Sequence, residues 1–220
     1  MADYVTLTVP EYRLALRHWN GDGMTATGLG QHPPTGGSTV RRLAWVIAAA
    51  AAVTAAVTAA LAVFGAEHSP NYTFGLIGSS GTGAISLKSR ISTGILALAL
   101  VQLLLALWMY GRVPGVGAAP SQIGRLHRAT GIVLFLVTLP VAVHCMVAYG
   151  VQTTSARVTV HSLAGCFFYG AFLSKILVVR SRQLPGWVLP TAGGVLVTVI
   201  AVLWYSSALW FFNGYQLPGG

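Results

Sequence analysis

Acidic side chains are almost absent from this sequence. Its 220 residues include four Asp and Glu residues against thirteen Lys and Arg residues. Asp3, Glu11 and Asp22 lie near the N-terminus, and the fourth acidic residue is Glu67. Catalysis by paired carboxylates, carboxylate-bridged metals and a carboxylate proton relay through a bilayer all need acidic residues within the apolar segments. The sequence excludes these three kinds of chemistry.

Charge of either sign is also scarce. Charged residues make up 8% of the chain and hydrophobic residues 55%, and the mean hydropathy is +0.70. Soluble domains carry roughly 25% charged residues, so we infer an integral membrane protein embedded in a lipid bilayer. The net charge of +9 would suit a nucleic-acid-binding protein. However, the basic residues flank apolar segments, where they anchor to lipid headgroups, and we expect no nucleic-acid partner.

The chain has two cysteines, Cys145 and Cys166. They are too few for a disulfide scaffold or a CxxC metal site. The sequence favours two buried, unreactive thiols, and a single disulfide between them is the alternative.

Five apolar segments are long enough to cross about 30 Å of hydrocarbon as helices. They lack the alternation of a membrane barrel, so the predicted class is an all-α, integral membrane bundle of five transmembrane helices. We predict a polar, Gly/Pro-rich cytoplasmic tail at residues 1–40, which is either flexible or a docking arm for a partner. The transmembrane domain follows at 41–214, with helices at about 43–64, 91–110, 130–149, 158–179 and 188–212.

The distribution of Lys and Arg predicts the orientation, with the N-terminus inside and the C-terminus outside the cell membrane. The outer side then carries three basic residues: Lys88, Arg90 and Arg157. The cytoplasmic side carries ten, which are Arg13, Arg17, Arg41, Arg42, Arg112, Arg125, Arg128, Lys175, Arg180 and Arg182.

Histidines are the main candidates for chemistry within the membrane. His144 lies near the outer end of the third predicted helix, and His161 lies just after the chain re-enters the membrane. Their depths differ by roughly 5 Å at 1.5 Å per residue. Two neutral imidazoles on neighbouring antiparallel helices are a typical axial pair for haem iron. We therefore predict a haem b site at His144 and His161, with two structural histidines as the alternative.

Glycines and cations near these histidines agree with a haem site. Gly131 and Gly165 each follow a histidine by four residues, which leaves a notch where a porphyrin could lie, or a close helix contact. The outer cations Arg90 and Arg157, together with Lys88, could pair with haem propionates or anchor to headgroups. His127, on the opposite side, and His68, just after the first helix, are secondary candidates. His127 could also hydrogen-bond a lipid headgroup, a quinone oxygen or a partner.

Two resemblances rest on these residues. His127-Arg-Ala-Thr-Gly131 and His161-Ser-Leu-Ala-Gly165 resemble helix-starting elements of transmembrane b-type cytochromes, including ferric-reductase-like proteins. Over about residues 85–212, the chain also resembles an uncharacterised actinobacterial membrane family, a domain of unknown function. The segments that carry this second resemblance are Leu139-Pro140-Val-Ala-Val-His144-Cys145, His161-Ser-Leu-Ala-Gly-Cys166-Phe-Phe-Tyr-Gly170 and Leu184-Pro-Gly-Trp187.

These resemblances imply a redox setting. Members of the second family can accompany Rieske-type iron–sulfur proteins, which implies protein partners in a respiratory complex. We therefore expect a b-type cytochrome-like electron-transfer subunit with one outer haem, exchanging electrons with a quinone or an extracytoplasmic protein. The alternative is a non-catalytic accessory or assembly subunit of a respiratory complex, without a cofactor. A small transporter is a third hypothesis, weakened by the lack of an internal repeat.

Overall fold

The computed structural model of the protein describes residues 36–181 and 184–217, and in these residues the regular structure is helical apart from one isolated bridge between Leu76 and Ser79. Most of the predicted tail lies outside the described residues. The helices are α1 (Gly36–Glu67), α2 (Gly81–Met109), α3 (Ser121–Ala148), α4 (Ala156–Arg180) and α5 (Val188–Trp204). Helix α5 continues through a π-helical segment (Tyr205–Leu209) and a last turn (Trp210–Phe212).

All five helices are long and apolar enough to cross a membrane, over spans of 25 to 29 residues. About 20 residues suffice for the hydrocarbon core at 1.5 Å per residue. The prediction of an all-helical, multi-pass membrane protein with five spans is confirmed. The orientation and the kind of membrane stay predictions.

Helices α2 and α3 begin earlier than the sequence indicated, at Gly81 and Ser121 rather than at residues 91 and 130. Hydropathy detects the part of a helix that lies in hydrocarbon, whereas polar first turns continue the same helix into the headgroup region. As a consequence, Lys88 and Arg90 belong to α2 and not to a loop. For the same reason, His127 lies in the second turn of α3.

Because successive helices run in opposite directions, the bundle has two chemically different ends. Helices α1, α3 and α5 begin at one end, which we call the basic end, and its described arginines are Arg41, Arg42, Arg112, Arg125, Arg128 and Arg180. The opposite end, which we call the histidine end, carries His68, His144 and His161 together with Lys88, Arg90 and Arg157.

Helices α2 to α5 share one apolar core. Helix α2 packs against α3 and α5, and α5 also packs against α4. Helices α3 and α4 meet through aromatic side chains: Phe135 stacks on Phe172 at 4.1 Å between ring centroids, and the Tyr169 hydroxyl donates to the Thr138 side chain. The core residues are Ile95, Ala99, Leu134, Phe168, Leu196 and Ile200.

Helix α1 packs on α4 at Gly170, where the absence of a side chain lets the two backbones approach closely. A Cβ atom at Gly170 would lie 2.6 Å from the Thr54 carbonyl oxygen. At the same contact, the hydroxyls of Thr54 and Ser174 lie 2.7 Å apart, and Ser174 donates to the Ala50 carbonyl. Small residues and hydroxyl hydrogen bonds are what hold helices together in lipid, where apolar burial provides little driving force.

Replacing Gly170 with alanine should therefore separate α1 from α4. The added methyl group meets backbone, which cannot rotate away, so we expect a loss of about 1–3 kcal/mol of stability and a lower Tm of the purified protein. The matched control is Gly94→Ala in α2, where a Cβ meets nothing within 4 Å. Equal Tm values for Gly170→Ala and the wild type would contradict the packing described for α1.

Candidate functional site

Among the described residues, His144 is the largest side chain that is almost completely covered, at 2% exposure. Its ring stacks on Phe74 at 6.1 Å between centroids and meets Tyr149 edge-on at 5.7 Å. Neither Nδ1 nor Nε2 makes a hydrogen bond of normal length and angle with any of the described residues. A neutral imidazole has one N–H donor and one acceptor nitrogen. Leaving either one buried and unpaired costs on the order of 1–3 kcal/mol. The buried ring of His144 therefore destabilises the fold unless another group bonds to it.

His161 is held through one ring nitrogen. Its Nδ1 lies 3.0 Å from Ser206 Oγ, and that hydroxyl donates to the Val202 carbonyl at 2.7 Å. Since a hydroxyl has a single proton, Ser206 Oγ accepts from His161 Nδ1–H. This arrangement puts the lone pair on Nε2, which is the tautomer that a metal-binding imidazole needs.

The π-helical segment brings Ser206 to this position. A π-helical turn widens a helix by one residue and shifts the side chains beyond it, and such turns are frequent at functional sites. Arg157 secures the segment from α4: its Nη1 donates to the Ser206 carbonyl at 2.8 Å, and its guanidinium lies 3.8 Å from the centre of the Trp210 ring. Sequence reasoning missed Ser206, because a serine in an apolar helix carries no signal for a widened turn.

A cavity of about 110 Å³ lies between α2, α3, α4 and α5. His161 and Gly165 lie in its wall, together with Thr138, Cys145 and Tyr169. Gly165 is one turn from His161, where the predicted notch would be, and a Cβ there would meet only Leu203, at 3.9 Å. The cavity therefore combines one metal-competent imidazole with a mostly apolar wall.

His144 is not part of this cavity wall. The neighbouring Cys145 and Ala142 line the cavity from α3, whereas His144 contacts Phe74 in the loop between α1 and α2. Lys88 Nζ lies 4.6 Å from the centre of the Tyr149 ring, and that ring meets His144 edge-on. The two histidines therefore belong to the same region of the histidine end without sharing one cavity.

The two histidines suit a haem iron, but the cavity between the helices is too small for a porphyrin. Two imidazoles could supply protein ligands to the iron, and nearby cations could pair with the haem propionates. Cavities for drug-sized ligands enclose roughly 300–1,000 Å³, several times the 110 Å³ present. Binding a porphyrin requires side chains between α3 and α4 to move, and these helices are joined there by side-chain contacts such as Tyr169 to Thr138.

The secondary candidates have different surroundings. His68 stacks on Phe64 at 5.9 Å, and its Nε2 is buried without a partner. His127 lies at the basic end, away from the other histidines. Arg90 is exposed, whereas Arg157 is already engaged by Ser206 and Trp210. Of the three predicted propionate partners, Lys88 lies over the Tyr149 ring and Arg157 is engaged by Ser206 and Trp210, so Arg90 is the one whose side chain is left exposed.

Both cysteines are free thiols. Cys145 is partly buried in the cavity wall, and Cys166 is fully buried. The alternative of a disulfide between them is wrong. Within residues 36–181 and 184–217, no group of three or more His, Cys, Asp or Glu side chains is placed to hold a metal ion.

The hydrogen bond to Ser206 predicts the tautomer of His161. Ser206→Ala should remove the acceptor of the Nδ1–H hydrogen bond, so that the ring populates both neutral tautomers. We expect a loss of about 1 kcal/mol of stability. The ¹⁵N shifts of histidine-labelled protein report the change. Ser207→Ala is the control, since Ser207 bonds only to the Leu203 carbonyl. An unchanged His161 spectrum in Ser206→Ala would contradict this assignment.

Comparison with known proteins identifies one family. Its profile, described as a family of unknown function, DUF6529, matches residues 46–219 and so covers the five helices apart from the start of α1. Neither the curated proteins nor the solved structures contain a match. The expected membership of an uncharacterised family is thereby confirmed: the chain belongs to the DUF6529 family of unknown function.

Proposed function

We propose that the protein is a b-type cytochrome-like electron-transfer subunit that holds one haem at the histidine end. The observation that carries this proposal is the His144 ring, which is buried with both nitrogens unpartnered. Burying an imidazole without partners for its nitrogens is energetically unfavourable. Binding of one ring nitrogen to haem iron would give that nitrogen a partner. The haem would supply one-electron redox chemistry.

His161 is the proposed second ligand. Its Nδ1–H is held by Ser206, so the ring is oriented and Nε2 carries the lone pair. Hydrogen bonding of the second nitrogen is the usual way in which a protein orients a ligating histidine and raises its basicity. Lys88 and Arg90 belong to the same end and would offset the negative charge of the propionates.

The proposed site implies partners. One haem near one end of a bundle cannot by itself carry electrons across about 30 Å of hydrocarbon. We propose that the protein works within a membrane redox complex and exchanges electrons at the histidine end with a quinone or with a protein such as a Rieske-type iron–sulfur protein. The basic residues favour an extracytoplasmic location for this end in the cell membrane.

A second candidate function is an accessory subunit without a cofactor. The observation that favours it is the small size of the cavity, about 110 Å³, beside a His161 that is already hydrogen-bonded. In that case His144 and His161 stabilise the bundle, and function resides in contacts with other membrane proteins. The two candidates differ in one measurable property, the presence of haem.

Absorption spectra of protein purified from haem-supplied cells, oxidised and dithionite-reduced, distinguish the candidates. We expect a Soret band and a sharp reduced α-band of low-spin haem. His144→Ala and His161→Ala should each remove the low-spin spectrum, because each removes one axial ligand. His127→Ala, at the opposite end, should leave the spectrum unchanged. Wild-type protein without Soret absorbance would overturn the cytochrome proposal and favour the accessory subunit.

A further inference from the structure

The cavity beside His161 has room for one aromatic ring. Its volume is about 110 Å³, and its wall includes the side chains of Phe168, Tyr169 and Trp204. Apolar protein cavities of about 150 Å³ bind benzene, so this cavity takes a single six-membered ring with small side-chain movements. Aromatic walls suit such a ring, because two rings attract each other edge to face or offset-stacked.

The hydroxyl groups of the wall have already used their protons. Thr138 Oγ1 donates to the Phe135 carbonyl at 2.6 Å, and Ser207 Oγ donates to the Leu203 carbonyl at 2.6 Å. The Tyr169 hydroxyl donates in turn to Thr138. Because a hydroxyl has one proton and two lone pairs, these three groups can only accept a hydrogen bond from a ligand.

The ring nitrogens of the wall follow the same pattern. His161 Nδ1–H donates to a hydroxyl of the π-helical segment, which leaves the lone pair on Nε2. Trp204 Nε1 donates to the Thr93 hydroxyl at 3.0 Å. Of the wall side chains, the Ser92 hydroxyl and the weak S–H of Cys145 have a proton left for a ligand. The wall is therefore rich in acceptors and poor in donors, and its most basic acceptor is an imidazole nitrogen.

This inventory selects the chemistry of the ligand. A mostly apolar wall with a strong acceptor favours a molecule that is apolar apart from one donor. A ligand with only carbonyl oxygens would place its lone pairs against those of the wall and leave both unpaired. A phenol has a planar apolar ring and one O–H donor, so it matches both the shape and the polarity of the cavity.

We propose that this cavity binds a phenolic ring, whose hydroxyl donates to His161 Nε2. The phenol site uses space that the helices already leave, and it needs no haem. A haem iron would take the same lone pair, so a phenol and a haem exclude each other at His161. The site is therefore tested in haem-free protein, and its outcome is separate from that of the absorption spectra.

Titration of the haem-free, detergent-purified full chain with phenol and with toluene tests the hydrogen bond. The two probes have nearly the same size and shape, but only phenol carries a donor. We expect phenol to shift the ¹⁵N resonance of His161 Nε2 upfield to saturation, because that nitrogen accepts the hydroxyl proton. Toluene should leave the resonance in place. An unchanged resonance at the highest phenol concentration that leaves the protein folded would overturn the proposal.

The variant His161→Phe keeps a ring of similar size and removes the acceptor. The Kd of toluene divided by the Kd of phenol, both measured by calorimetry, reports what the hydroxyl contributes, because transfer from water and detergent is common to all variants. This ratio should fall about fivefold in His161→Phe, the factor that one net hydrogen bond provides. His127→Phe, at the opposite end, is the matched control and should keep the wild-type ratio. Equal ratios in all three proteins would show an apolar cavity without hydroxyl recognition and overturn the proposal.

A third variant tests the location of the site. Ala142 lines the cavity from α3, whereas the neighbouring Val143 is 52% exposed. Ala142→Leu fills the cavity and should abolish saturable binding of both probes, and Val143→Leu should bind them as the wild type does. Unchanged phenol binding in Ala142→Leu would place the ring elsewhere and contradict the site. If His161→Phe fails to fold, the ¹⁵N titration of the wild type and the Ala142→Leu result decide.

Discussion

Hydrocarbon offers no hydrogen-bond partner, and this constraint shapes the whole bundle. Each polar group within the membrane must find its partner inside the protein or at the headgroup boundary. The hydroxyl groups obey this rule closely: Thr54, Thr58 and Thr191 each donate to the carbonyl four residues earlier in the same helix. Among the described residues, the buried side-chain nitrogens without a hydrogen-bond partner belong instead to three histidines, His68, His127 and His144.

The same constraint separates His161 from His144, although both are histidines of one end. His161 has an internal partner in Ser206, which the widened turn after α5 brings within 3.0 Å. His144 is 2% exposed and has no such partner among the described residues. One imidazole is thus held by the protein with its lone pair on Nε2, and the other has no hydrogen-bond partner among the described residues. This contrast is the physical basis for proposing a cofactor there.

The two ends of the bundle differ in the surroundings of their cationic side chains. At the histidine end, Arg157 is bound by the protein itself, and Lys88 lies over the Tyr149 ring at 4.6 Å. At the basic end, Lys175 has no acidic side chain among the described residues, and arginines surround the helix ends. Cations near hydrocarbon are stable only with anions or headgroups nearby, so this end depends on the membrane.

Composition alone determined the class of the protein and the number of its spans, since apolar runs of sufficient length must be helical in lipid. The sequence also identified the histidines and Gly165 as candidates. It could not determine the early starts of α2 and α3, the widened turn at Ser206, or the direction in which His144 points. Those depend on which helix packs beside which, as when Gly170 admits the Thr54 carbonyl of α1. Hydropathy records how deep a residue lies, whereas a binding site also needs side chains that converge, and only tertiary packing decides that.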